Sequence, residues 1–379
     1  MILPYLQLLA VAVVAFWILR WLWAFTRAAI LLRLLVPGDG QQNRRGLYRI
    51  IVSRDEYDHG PGDPQPFKFY RPVKRATGPA VIIYHGATPY GEEHATLDTL
   101  AQALAKVGFL VFIPRLPQLM AVTIDKSNQR SMITFYHHIR RHPSVQPGRI
   151  TVVGTSYAGG LMLKALLEPE MRAAPPRAVL TYGSYCDLER GLKFVLTGRA
   201  EDQGRTFTIK PDPWGQILFF YNYLDHVPGK FDRESVRAVL KHYANDRHEA
   251  GAAVRDQLPE RERRMADLLL NPGDPESLVL AGQVLEHAHS LLAEDSPSHF
   301  YRQIDFPIWV MHGRNDVAVH YTEALALKRL LPKKVRLLIT DLYGHKEISL
   351  VRGLGRNVKY LLVMVLFLGR FLRAVAGRR

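Results

Sequence analysis

One stretch of this chain constrains its fold more than any other: RITVVGTSYAGG, residues 149 to 160. Ile150, Val152 and Val153 form the β-branched run of a buried parallel strand, and residues 161 to 167 continue as apolar helix formers. Ser156 falls at the junction. Gly154 and Ala158, two positions to either side of it, leave room for the tight, strained turn of a nucleophile elbow, with alanine in place of the second glycine of G-x-S-x-G. Any glycine-rich turn from strand to helix reads the same way, so the rest of the chain has to supply the partners of that serine.

The rest of the chain alternates strands and helices. Residues 47 to 52 and 67 to 73 read as a pair of edge strands separated by the turn-rich HGPGDPQP. Residues 80 to 84 form a buried strand ending in His85-Gly86, residues 93 to 107 a helix, 109 to 113 a strand, 123 to 142 a helix, and 178 to 182 another strand. This rhythm predicts an α/β fold, a mostly parallel sheet with helices on both faces. From 184 to 303 it stops. No strand pattern occurs there, while helices are expected at 213 to 225, 233 to 245 and 275 to 293, the first carrying Trp214, Phe219, Phe220, Tyr221 and Tyr223. Such an insertion is placed to act as a lid; its aromatic stripe also reads as the insertion's own core. Strands resume at 308 to 311 and 335 to 340, with a helix between them at 321 to 331. Lys164, Glu168 and the charges of residues 255 to 266 read as solvated faces.

A serine hydroxyl needs a base and an orienting acid to become a nucleophile at neutral pH. The strand at 308 to 311 runs into HGRND and puts Asp316 just past its end, and the strand at 335 to 340 runs into DLYGH and puts His345 in the equivalent loop. Parallel sheets gather functional groups at that edge. Asp187, just past the strand at 178 to 182, is the alternative acid. His85 and His312, each before a glycine, read as structural, and His94, His137, His138 and His142 as surface or loop residues. No H-E-x-x-H or paired-carboxylate spacing points to a metal, and no cofactor is expected.

The elbow GTSYAGG, the acid loop HGRND and the histidine loop YGH, in the order Ser, Asp, His, resemble the α/β-hydrolase superfamily over roughly residues 46 to 183 and 304 to 350. The resemblance implies that Ser156 attacks a carbonyl, His345 takes its proton and Asp316 orients and stabilises the imidazolium. It also implies an oxyanion hole, for which the N–H of Tyr157 and, on the His85-Gly86-Ala87 loop, the N–H of Ala87 are the choices. HGAT stands here where some lipases have HGGG.

The two ends of the chain have a different character. Residues 1 to 19 are free of charge and approach the length of a bilayer core. No Lys or Arg precedes them, which favours a membrane anchor over a cleaved signal peptide. Residues 20 to 36 place Arg20, Arg27 and Arg33 among tryptophans and aliphatics, as an interfacial helix would, or as the continuation of one long tilted span. Arginines following the span put the bulk of the chain on the cytoplasmic side. Residues 37 to 45 read as a linker, and 351 to 379 as a basic amphipathic helix whose start packs on the sheet and whose end lies on lipid. Of the net charge of +15, residues 1 to 53 carry six arginines against one aspartate, and residues 352 to 379 seven Lys or Arg with no acid. Basic charge beside long apolar runs fits anionic lipid and not a nucleic-acid groove. The single cysteine, Cys186, allows no intrachain disulfide.

The expectation is a membrane-anchored serine hydrolase that cleaves an acyl or lipid-like ester through an acyl-enzyme. A thioesterase or peptidase on the same fold is the alternative within that chemistry, and a non-catalytic membrane-bound binding module the alternative outside it. Nothing in the sequence fixes the oligomeric state.

Overall fold

Runs such as GPAVIIY and LVFIP are apolar at nearly every position and are satisfied only where both faces of a sheet are covered. The computed structural model describes residues 2–35, 45–60, 62–125, 127–341 and 354–376. Its strands are β1 (Ile50–Asp58), β2 (Pro64–Pro72), β3 (Gly78–Tyr84), β4 (Leu110–Pro114), β5 (Val145–Thr155), β6 (Ala178–Tyr182), β7 (Arg199–Asp202), β8 (Arg205–Thr208), β9 (Ile308–Gly313) and β10 (Val335–Thr340). Eight of them form one sheet in the order β1-β2-β4-β3-β5-β6-β9-β10. The pairs β1/β2 and β2/β4 are antiparallel and all others parallel.

Alternate residues of the strands enter two separate cores. Ile82, Phe112, Val152, Val179 and Val310 point to one, shared with helices Ser127–Arg140, Tyr157–Ala165 and the insertion. Ile83, Val111, Val153, Leu180 and Trp309 point to the other, beneath helix Ala95–Lys106 and the two terminal helices. The sheet is thus covered on both faces, as its all-buried central strands require.

The N-terminal helix runs unbroken from Ile2 to Leu35, because no glycine or proline interrupts it after Pro4. It does not divide at Arg20 into an anchor and a separate interfacial helix. Its outer part, Val11 to Leu19, is exposed at every position, whereas Ala28, Leu31, Leu32, Leu34 and Leu35 are buried in the second core. By length and composition, Val11–Leu35 is apolar enough to cross a membrane. The C-terminal helix, Leu354–Ala376, lies antiparallel to it: Gly369 meets the Phe25 ring so closely that a Cβ would lie 2.4 Å from it, and the Arg373 guanidinium sits 3.8 Å over Trp21. Phe371, Leu372 and Val375 are buried, so one face of the helix packs on the protein up to its last turn.

Two stretches depart from the expected pattern. Strand β1 extends through Arg54, Asp55 and Glu56, seven of its nine residues being exposed, because an edge strand with little covering it needs no apolar alternation. Inside the insertion, β7 and β8 form a small antiparallel hairpin where no strand was expected. Its two-residue turn, Gln203 and Gly204, has positive φ at both positions, the geometry that matches strand twist in a tight hairpin. The insertion's long helices lie at Pro213–Tyr223, Arg233–Ala244 and Pro275–Glu294, close to where the sequence puts them.

Candidate active site

Ser156 closes β5 and caps the helix that follows, with φ 52° and ψ −129°. A non-glycine residue held there costs about 1–3 kcal/mol, which the surrounding structure must offset. The turn is crowded from both sides. A Cβ on Gly154 would lie 2.7 Å from the Cα of Gly159, and one on Gly159 would lie 1.8 Å from Ser184 Oγ. Gly159, not the alanine before it, is therefore the second position that tolerates no side chain. Ser156 itself remains partly open to solvent.

The His85-Gly86-Ala87 loop, which ends β3, lies against this serine. A Cβ on Gly86 would come within 2.9 Å of Ser156 Cβ and 3.5 Å of its Oγ. His85 fixes the loop from behind: fully buried, it donates from Nδ1 to Gly86 O (2.8 Å) and accepts at Nε2 from Leu116 N (3.2 Å). Burial pushes its pKa down to about 4, so the imidazole is a neutral structural strut. The N–H of Tyr157 belongs to the first turn of its helix, where N–H groups have no acceptor within the helix. The Tyr157 side chain is buried beneath the elbow, stacked on Tyr185 at 5.6 Å.

Asp316 follows β9 and is fully buried. Its Oδ1 accepts from Ala318 N (2.9 Å) and Val319 N (2.8 Å), which fixes the carboxylate and compensates its lost hydration. Its Oδ2 lies 3.5 Å from His312 Nε2, which itself donates to Val319 O at 2.7 Å. The levels match across the sheet. Thr155 pairs with Tyr182 and Tyr182 with Met311, so Ser156 and the Asp316 loop leave the same edge one strand apart. Asp187, the alternative acid, is occupied otherwise: it caps helix Leu188–Thr197 through Arg190 N and accepts from Ser298 Oγ. His345 lies outside the described residues. Strand β10, which leads towards it, ends beside the acid loop, with Arg314 N donating to Thr340 O and the Arg314 guanidinium 2.7 Å from Asp341.

Other sequence readings resolve differently. Lys164 is no solvated charge; it lies 2.7 Å from Asp295, a buried carboxylate of the insertion that also accepts from Gln129. His138 and His142 edge an aromatic cluster with Phe67, Phe69, Phe112 and Phe135. A second serine-histidine-aspartate line carries no sequence signal: His59 Nε2 is 2.6 Å from Ser131 Oγ and Nδ1 is 2.9 Å from Asp63 Oδ2. The insertion reaches the site through Tyr90, whose hydroxyl is 3.3 Å from Asp246, and through Asp212, whose N–H donates to Val317 O. Among the described residues no group of three or more His, Cys, Asp or Glu is placed to hold a metal ion.

No protein-family model and no curated protein sequence matches the chain. Solved structures do. The uncomplexed acylaminoacyl peptidase of Pyrococcus horikoshii is similar at TM-score 0.52 and 13% identity, over 88% of this chain and 43% of that one. An acylaminoacyl peptidase in complex with Z-Gly-Gly-Phe-chloromethyl ketone gives 0.52 and 14%, over 87% and 42%. Brefeldin A esterase, a bacterial homologue of human hormone-sensitive lipase, gives 0.45 and 15%, over 93% and 85%. The chain spans less than half the length of the peptidases it matches. With a mostly parallel eight-stranded sheet, helices on both faces and this likeness, the chain has the α/β-hydrolase fold.

Proposed function

We propose that the chain is a serine hydrolase that cleaves a carboxylic ester through an acyl-enzyme, anchored in a membrane by its N-terminal helix. The observation that carries this reading is Ser156 on a strained, solvent-reached elbow with the Gly86 backbone packed against its hydroxyl. In the proposed reaction Ser156 Oγ attacks the ester carbonyl while His345 removes its proton, and Asp316 holds the imidazolium. The tetrahedral oxyanion is met by the N–H groups of Ala87 and Tyr157, each worth about 3 kcal/mol in such a site. Collapse returns the proton to the leaving alcohol, and water repeats the sequence to release the acid. The insertion, residues 184 to 303, acts as the lid over this edge, and the hydrolase core comprises residues 46 to 183 and 304 to 350. The arginines that follow the apolar segment favour a cytoplasmic catalytic domain.

The test is labelling with a fluorophosphonate probe. Covalent labelling at Ser156 is expected, with Ser156→Ala losing the label and at least about 10⁴-fold in ester turnover. Folded protein that takes up no probe and turns over no ester would leave a non-catalytic binding module as the better reading. Protease protection on intact cells checks the orientation, since digestion of the domain from outside contradicts it.

A further inference from the structure

The two ends of the central strands meet different surroundings. The C-terminal helix runs antiparallel to the parallel strands: Met364 touches Thr340 at the end of β10, Phe371 packs on Trp309 near the start of β9, and the last turn reaches the starts of β5 and β6. There Arg177 Nε donates to Ala374 O (3.0 Å) and Arg149 donates to Ala376 O. Arg336, second residue of β10, lies over Trp309, and Arg336 and Arg20 are both close enough to Arg373 to repel its charge. The N-terminal edge of the sheet is therefore ringed by Arg20, Arg149, Arg177, Arg336 and Arg373. Asp305, an acid on this edge, is faced by Arg172 at 3.8 Å.

The N-terminal helix leaves the protein through this ring. Trp17 and Trp21 stand beside Arg373 and Arg20, a mixture of aromatic rings and arginines suited to headgroup depth. Because this helix is antiparallel to the C-terminal one and Trp17 already lies level with Arg373, residues before Trp17 project past the last turn, away from the sheet. Val11, Val14 and Phe16 are 55–66% exposed there. Ser156 lies at the opposite edge, seven residues beyond Arg149 along β5, or about 23 Å.

We infer that the protein docks on an anionic bilayer through the N-terminal edge of its sheet, so that the Ser156 edge faces water and the ester substrate arrives from the aqueous phase, not from the bilayer in which the protein sits. The substrate half rests on the hydrolase reading; the orientation does not. The arginine ring supplies the electrostatic complement to acidic headgroups, at about 1 kcal/mol per residue near the surface.

The full chain reconstituted in phosphatidylcholine–phosphatidylserine vesicles tests both halves. Cys186 is buried, so single cysteines placed at Val14, Arg370 and Tyr90 can be labelled with a fluorophore selectively. Val14→Cys should be quenched by acyl-chain nitroxide and Arg370→Cys by headgroup nitroxide, the latter being lost in pure phosphatidylcholine. Tyr90→Cys, beside the Ser156 loop, should be quenched by aqueous iodide alone; lipid quenching at Tyr90 equal to that at Val14 overturns the orientation. A soluble short-chain ester should be hydrolysed in vesicles at its detergent rate, while an ester lipid in the same bilayer loses turnover relative to detergent. Hydrolysis of the bilayer ester as fast as in detergent overturns the substrate half. If neither ester is cleaved while the labels report the expected depths, the hydrolase reading falls and the docking stands.

Discussion

Ser131 and Ser156 are both serines for which the chain offers a histidine and an aspartate as partners, and the difference between them shows what a nucleophile requires. Ser131 has the more complete hydrogen-bonded line, through His59 to Asp63. It sits inside helix Ser127–Arg140, 1% exposed, and its hydroxyl proton is spent on Ser127 O at 2.9 Å. His59 Nε2 must then donate to Ser131 Oγ, which is the reverse of a general base. Ser156 has strain, solvent access, and a glycine backbone at van der Waals contact beside it. A proton relay without access and without donors aimed at an oxyanion is structural; Ser156 has the access and the close glycine backbone on which the proposed reaction rests.

After loss of Ser156 itself, the largest effect is expected for Asp316→Asn, which keeps the shape of the side chain but removes its charge: kcat/KM on a soluble ester should fall by about 10³- to 10⁴-fold with far-UV dichroism unchanged. Retention of most activity would return the acid's role to Asp187. Gly86→Ala pushes a methyl against Ser156 and should lower kcat by about ten- to a hundredfold, with a stability cost of about 1–3 kcal/mol read by denaturant titration.

His85 gives the next effect. With its folded pKa near 4 and an unfolded value near 6.5, the unfolded chain binds a proton that the folded chain refuses between those values. Stability is therefore complete above about pH 6.5 and is lost as pH falls towards 4, by up to about 3 kcal/mol. The slope of Tm against pH in that window should become shallower in His85→Gln, with His320, whose burial also pushes its pKa down to about 4, keeping part of it. The smallest effect is reserved for Ser131→Ala, which should change turnover by less than about twofold and cost about 1 kcal/mol. A large loss of turnover there would erase the distinction between the two serines.

The fold was legible in the sequence where information is local. Strands β3, β5, β6, β9 and β10 each have their apolar run and the turn signal that ends it within a dozen residues, so Ser156, Gly86 and Asp316 could be placed on strand ends without knowing what lies between them. Features that depend on partners distant along the chain were not legible. Lys164 and Asp295 are 131 residues apart, and nothing beside Lys164 announces a buried carboxylate. The His59–Ser131 contact spans 72 residues. The hairpin of β7 and β8 was missed because its strands are short and charged, although Gln203-Gly204 is a turn signal. The continuity of the N-terminal helix was obscured by its arginines, which mark a change of environment, from exposed to packed, and not a break.

The polar ties between insertion and core have a mechanical consequence. Asn222 accepts from Ile124 N and donates to Val122 O, and Asp295 is held by Lys164 and Gln129. Swinging the insertion open as one flap would tear both anchor points and leave buried amides and a carboxylate bare. Helices Arg233–Ala244, His248–Asp256 and Glu260–Leu269 touch the core loops far more lightly, through contacts such as Tyr90 with Asp246. If the insertion opens as the proposed lid, its first and last long helices are the fixed jamb and the three between them the leaf that moves.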